Sequence, residues 1–404
     1  MLKNIIIVYD QAYYSGGAAK IAIESAIELS KSYNVYFFCG IERVDDRLKK
    51  SDVQIISCNQ EHIGETKKIG SLIRGIWNYN VYKKFKMFLS KFDANDTIIH
   101  IHGWTKALSC SIFDAIREMK FKMIVTLHEF FCVCENGGLY DFKKNRICDL
   151  DSTRWKCKFT NCDKKNYFYK IYRNVREIIQ HRSLKKSKPS VIYISSFSQN
   201  IIDKKLSFFP KHKYFVENFI EFNKINRKRV KAEKNNKYLF LARLSHEKGL
   251  DLFCDAITKT NVKGIVLGSG PLLKKYSEKY PNIEFLGWVQ GDNKDKILEE
   301  VRCIIISSRW YETMGLTALE MKSIGIPAII ADQSATKEYI IDEQEGLLFS
   351  IEKDNLCDKI EILKDDDVVR RMSEKCFNSF ETNKYSIESH TKKLLEVYER
   401  EMMC

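Results

Sequence analysis

The chain has 404 residues, too long for one ordinary hydrophobic core, so two domains of roughly 200 residues each are expected. Apolar residues make up 44% and charged residues 30%, which excludes a disordered chain, and no apolar run approaches the roughly 20 residues that span a bilayer. Sixty-seven basic against 53 acidic residues give a formal +14, an excess that favours anionic partners without choosing among nucleic acid, acidic lipid and phosphorylated substrates. The lysines are spread through helices rather than gathered in arginine–aromatic stripes, so no nucleic-acid partner is expected. The opening "MLKNIIIVYDQAYY" has too short an apolar run for a signal peptide, and a cytoplasmic location is expected.

In chain order, "NIIIVYD" reads as a strand covered on both faces, as in a parallel sheet. "YYSGGAAKIAIESAIELSKSY" follows as a glycine turn and a helix with apolar residues at helical spacing, then "NVYFFCG" as the next strand. Further strands are predicted at "VQIIS", "DTIIHIHG", "KMIVTLHEF" and "SVIYISS", with helices between several of them. The lysine-rich "NKINRKRVKAEKNN" lacks apolar periodicity and reads as a linker. The pattern then restarts through "KYLFLARLS", "VKGIVLGSG", "IEFLGWV", "CIIISS" and "PAIIAD". This alternation predicts two α/β domains, each a Rossmann-like doubly wound parallel sheet, over 1–220 and 221–384, facing a central cleft. The first carries a cysteine-rich insertion over 130–165, and the amphipathic helix over 385–404 is suited to pack back on it. Ligands of open sheets sit beyond the carboxyl ends of the strands, so the chemistry is expected there.

In "FLARLSHEKGLD", Arg243 ends a strand and Lys248 follows five residues later. A planar donor fork with a mobile point charge suits a diphosphate, although alone such a pair is an ordinary surface feature. Gly268 and Gly270 in "VLGSGP" would let a ligand approach the backbone. In "SSRWYETMGLTALE" a strand ends, the chain turns and a helix begins near Met314. The N–H groups of Gly315, Leu316 and Thr317 make an anion site, and glycine at 315 leaves room for a phosphate. Glu312 in the turn can reach a sugar hydroxyl, and Glu320, more than a turn into the helix, a ribose diol. Helix capping explains one acid near a helix start, but not the ensemble. His100, His102 and His128 stand at strand ends, where a proton acceptor is useful.

The segments "YYSGGAAKIA", "LARLSHEKGLDL", "GSGPL" followed by "FLGWV", and "SSRWYETMGLTALEMKSIGIPAI" resemble a family 4 glycosyltransferase of the GT-B fold. The likeness covers the whole second domain and is looser in the first. It implies that Arg243 and Lys248 hold the donor diphosphate, Glu312 orients the donor sugar and Glu320 the ribose. It further implies that Gly16 and Gly17 bring a helix N-terminus to the phosphates or the acceptor. His128 matches a family histidine near the anomeric centre, and His102 is placed on the acceptor side. The family retains anomeric configuration and uses no donor-site metal, fixed cations and a helix end carrying the leaving charge instead. The implied donor is a UDP- or GDP-sugar. The implied acceptor is a glycan or a polyprenyl-diphosphate-linked glycan, in O-antigen, lipopolysaccharide, capsule or other surface-polysaccharide synthesis. "ETMG" departs from members that carry glycine and phenylalanine there, so the sugar taken stays open.

Thirteen cysteines in a chain expected in the cytoplasm argue against disulfides, and Cys39, Cys254 and Cys303 read as small buried hydrophobes. The insertion differs. Cys134, Cys148, Cys157 and Cys162 are expected either to hold a structural zinc ion or to be reduced buried thiols, with Cys132 apart. A similar insertion occurs in a bacterial subgroup of the resembled family. "DLD" at 149–151 follows no apolar strand and reads as loop. Two stretches, 69–92 and 166–188, combine an apolar stripe with basic residues. Each either packs its stripe on a sheet or docks on an anionic inner-membrane surface. Two rivals remain: a sugar-nucleotide epimerase or hydrolase of the same fold, and a basic zinc-loop RNA-binding module.

Overall fold

β-branched and aromatic runs bounded by glycine or polar turns build two separate parallel sheets. The computed structural model describes residues 2–63, 69–222 and 227–404. In chain order the strands are β1 (Asn4–Tyr9), β2 (Asn34–Cys39), β3 (Gln54–Ser57), β4 (Thr97–Ile101), β5 (Lys122–Thr126), β6 (Tyr140–Asp141), β7 (Arg146–Ile147), β8 (Ser190–Tyr193) and β9 (Lys213–Phe215). The second series is β10 (Lys237–Leu241), β11 (Lys263–Leu267), β12 (Ile283–Gly287), β13 (Val301–Ile306), β14 (Ala328–Ala331) and β15 (Gly346–Phe349). Two compact units result. One holds 1–139, 149–219 and 384–404, the other 140–148 and 220–383.

The first unit's sheet runs β3-β2-β1-β4-β5-β8-β9, all parallel, with Ile6 opposite Tyr36 on one side and Ile99 on the other. Ile5, Ile6, Ile7 and Val8 are fully buried, which is why this strand reads as an unbroken apolar run. The C-terminal helix Ile387–Met403 puts Leu394, Val397 and Tyr398 into the core under this sheet. Glu401 on that helix accepts from Ser190 Oγ at 2.6 Å and Tyr214 Oη at 2.9 Å.

The second unit's sheet runs β12-β11-β10-β13-β14-β15, also parallel. Its edge strand β15 had no clear sequence signal, being four residues long and pattern-poor. The linker expected over 223–236 has its first four residues outside the described residues. The rest is anchored: Arg227 donates to the carbonyls of Ser323 and Phe377, each at 3.0 Å. Its guanidinium sits 3.9 Å from the centroid of the Phe377 ring. The lack of apolar periodicity gave no sign of this anchoring, because the acceptors lie 96 and 150 residues from Arg227.

The cysteine-rich insertion is divided. Tyr140–Cys148, with the antiparallel β6–β7 hairpin, groups with the second unit. The remainder leads into the long helix Tyr167–Ser187 of the first unit. That helix does not pack its apolar stripe inward. It buries Lys170, Asn174, Glu177 and Gln180 and leaves Phe168, Ile171, Val175 and Ile178 exposed.

Candidate donor site and histidine cluster

In the second unit, paired strands β10 and β13 present two loops from their carboxyl ends, one carrying Arg243 and Lys248, the other Glu312. The loops are stitched together by backbone. Arg309 N–H donates to the Glu247 carbonyl at 2.9 Å, and Ser307 Oγ to the Gly249 carbonyl at 2.8 Å. Lys248 Nζ consequently lies 2.6 Å from Glu312 Oε1. Ser308 Oγ and Trp310 Nε1 donate to the same oxygen at 2.5 and 3.1 Å, and Lys248 stands 5.0 Å from the Trp310 ring centroid. Burial pushes the Glu312 carboxyl up, but the adjacent ammonium together with the Ser308 and Trp310 hydrogen bonds outweighs it and holds the pKa below the ordinary value. Glu312 is therefore an ionised, oriented carboxylate at neutral pH.

Arg243 pairs with buried Glu247 rather than with Glu312. Glu320 accepts from Lys294 Nζ at 2.9 Å. Lys294 escaped the sequence reading. Its signal was positional: a lysine in the helix Asp292–Leu298 that follows β12, beside the sheet end that carries the other charges.

The glycines also have reasons within the fold. A Cβ on Gly268 would stand 2.0 Å from the Ala242 carbonyl oxygen, and one on Gly270 2.4 Å from that of Leu244. What approaches closely is the protein's own Arg243 loop, held by a Leu244 N–H bond to the Ser269 carbonyl at 2.9 Å. Gly315 caps the helix Leu316–Ser323 at φ 79°, and a Cβ there would meet Thr336 Oγ1 at 1.9 Å. Glycine at 315 is thus required by the fold, whatever binds nearby. The helix itself leaves the N–H groups of Leu316 and Thr317 unsatisfied.

In the first unit, β4 and β5 bring three histidines together. His100 is locked between Tyr398 Oη at 2.6 Å and Thr126 Oγ1 at 2.7 Å, a structural role. His102 Nδ1 and His128 Nε2 lie 2.9 Å apart, at a cavity also lined by Tyr9, Trp104, Lys106 and Phe131. Burial lowers His128 to about 3 and His102 well below its ordinary value, so both are neutral near pH 7. Gly16 precedes the helix that Gly17 opens, and nothing lies within 4 Å of where its Cβ would stand.

Cys134, Cys148, Cys157 and Cys162 were expected either to hold a structural zinc ion or to be reduced buried thiols. Among the described residues no group of three or more His, Cys, Asp or Glu is arranged to hold a metal ion. Cys134, Cys157 and Cys162 are buried around Glu135, while Cys148 belongs to the stretch grouped with the second unit. Lys170 Nζ stands where a cation would be needed, 3.6 Å from Cys157 Sγ, 3.5 Å from Cys162 Sγ and 2.5 Å from Glu135. Burial and the neighbouring Glu135 carboxylate raise the Cys134 thiol well above its ordinary value. Lysine was invisible to a reading that looked for ligands.

Two parallel α/β units, each with its own sheet and the second with acids and cations at its strand ends, define the GT-B class. Residues 221–378 match the family model for glycosyl transferases group 1. The chain is 24% identical over 319 residues, 76% of its length and 79% of the relative's, to an uncharacterized 41.2 kDa protein in the cps region of Klebsiella pneumoniae. Its fold matches sucrose-phosphate synthase from Thermosynechococcus elongatus, with TM-score 0.71 at 14% identity and 98% of both chains covered. It also matches HepE of Anabaena in complex with UDP and glucose, with TM-score 0.68 at 13% identity, 98% of this chain and all of that one covered.

Proposed function

We propose that the chain moves a hexose from a nucleotide-diphosphate sugar to a glycan or polyprenyl-diphosphate-linked glycan, with retained anomeric configuration and no donor-site metal. The product belongs to a surface polysaccharide such as O-antigen or capsule, assembled at the inner face of the cytoplasmic membrane. The observation that carries this reading is the Lys248–Glu312 contact, 2.6 Å across 64 residues of sequence, inside the family-matched segment. The Klebsiella relative's cps region and the UDP and glucose held by the Anabaena protein support the polysaccharide and the donor class.

In this reading Glu312, fixed through Oε1, turns its other oxygen to a hydroxyl of the donor sugar. Lys248, Arg243 and the N–H groups of Leu316 and Thr317 meet the diphosphate, and Glu320 the ribose after Lys294 lets go. The bond from the anomeric carbon to the diphosphate oxygen breaks, and one to the acceptor oxygen forms. The acceptor's proton leaves with the nucleotide. Positive groups fixed beforehand at the leaving oxygens lower the barrier without reorganisation. Neutral His128, oriented by His102, is assigned to sugar-hydroxyl recognition.

A thermal-shift screen against UDP-, GDP- and ADP-sugars tests the donor. A donor at a hundred times its dissociation constant adds about 2.7 kcal/mol of stability. No shift with any of them sinks the proposal, and free sugar or an epimerised nucleotide formed without acceptor selects the rival enzyme.

A further inference from the structure

The helix Tyr167–Ser187 is amphipathic in the reverse sense. Its inward side is polar, and its partners are fixed. Lys170 binds Glu135 at 2.5 Å, Asn174 the Lys158 carbonyl at 2.9 Å, Glu177 Lys158 at 2.6 Å and Gln180 the Phe131 carbonyl at 2.7 Å. Its outward side carries Phe168 (64% exposed), Ile171, Val175 and Ile178 (55%). They are spaced three, four and three residues apart, which places them on one stripe. Arg182, Lys185 and Lys186 continue the same face and are exposed. Beside this helix lies the short helix Trp155–Phe159, joined to it through Lys158, with Trp155 (74%) and Phe159 (71%) in water.

Large apolar side chains in a contiguous exposed run mark an interaction site, and the charge around them says which kind. Between residues 154 and 188, eight lysines and arginines are exposed. Both acids there, Asp163 and Glu177, are buried and paired with Arg173 and Lys158. A symmetric pairing of two copies through this face would set those cations against themselves. An anionic bilayer supplies an apolar interior and a layer of negative charge on one surface. We propose that this two-helix face docks on anionic lipid. Phe168, Ile171, Val175, Ile178, Trp155 and Phe159 enter the boundary of headgroups and acyl chains, and the basic rim lies on the lipid phosphates. This surface would bring the protein to a membrane whether or not the transfer reading holds, since docking is measured without donor or acceptor.

The test is flotation of the full chain with vesicles of phosphatidylcholine, with and without phosphatidylglycerol, at about 50 mM and about 500 mM salt. Binding is expected on the anionic vesicles at low salt, weakened at least about tenfold by high salt or by removing the anionic lipid. The double variant Ile171→Asp/Ile178→Asp is expected to lose at least about tenfold in binding with an unchanged melting temperature, because both positions are exposed. Trp155→Ser/Phe159→Ser gives a second, independent loss. Three results overturn the proposal: no flotation of the unaltered protein on anionic vesicles at low salt, variants that float as well as it does, or a solution dimer that the same substitutions convert to monomer.

Discussion

Glu312 receives three donors on one oxygen, so its charge and its direction can be separated experimentally. Glu312→Gln keeps the shape and removes the charge. It is expected to lower kcat by about a hundredfold or more while circular dichroism stays native; activity within a few-fold of the parent would remove the carboxylate from the mechanism. This acid was legible in the sequence because the turn, the glycine and the helix surround it within a few residues. Lys294 was not, because its link to Glu320 crosses 26 residues and two elements. The buried histidines set a pH dependence. His390 is lowered to about 4 and His128 to about 3, each by burial, against an ordinary value of 6.5. As pH falls below that value, the unfolded chain takes up protons that the folded chain refuses. Stability is therefore full above it and lost on acidification, by about 1.4 kcal/mol per pH unit for each such histidine. Denaturant titrations from pH 7 to pH 5 should show this slope, and His390→Gln should reduce it by about one proton.

Elements show where local pattern is silent. The stripe of the 167–187 helix was plain in the sequence, but not which side of the helix faces in. Amphipathicity fixes a stripe, while the direction depended on Glu135, 35 residues away from Lys170. Burial alone would drive the Lys170 ammonium toward neutrality, but Glu135 outweighs it and keeps the pKa above its ordinary value. Lys170→Met should therefore cost about 3–5 kcal/mol by stranding a buried carboxylate, and adding Glu135→Leu should restore most of it. Additive losses in urea melts would show that the pair is not coupled. The glycine turn after β11 makes the same point. Gly268→Ala forces a Cβ onto the Ala242 carbonyl at a φ of 137°, so a loss above about 1 kcal/mol is expected. Donor affinity should fall with it, since that carbonyl adjoins Arg243.

At the scale of the whole molecule, the chain leaves its first unit at Phe219 and returns to it at Lys384. The returning helix contributes Leu394, Val397 and Tyr398 to that unit's core, Tyr398 to the His100 bond, and Glu401 to Ser190 and Tyr214. Truncation after Asn383 should therefore abolish cooperative unfolding of the first unit while the second unit keeps its own core. A truncated chain with an undiminished first transition in calorimetry would contradict this.

Sequence alone determined the two parallel sheets, because strands covered on both faces must be apolar throughout. It also determined the charged loop ends, because β-to-α turns carry their residues in short, ordered motifs. Tertiary structure decided what depends on distant partners. Gly268 and Gly270 make room for the protein's own backbone. A lysine sits among the insertion's thiols. The long helix turns its apolar stripe to water. In each case the decisive neighbour lies tens of residues away, and only folding brings its charge or its bulk into reach.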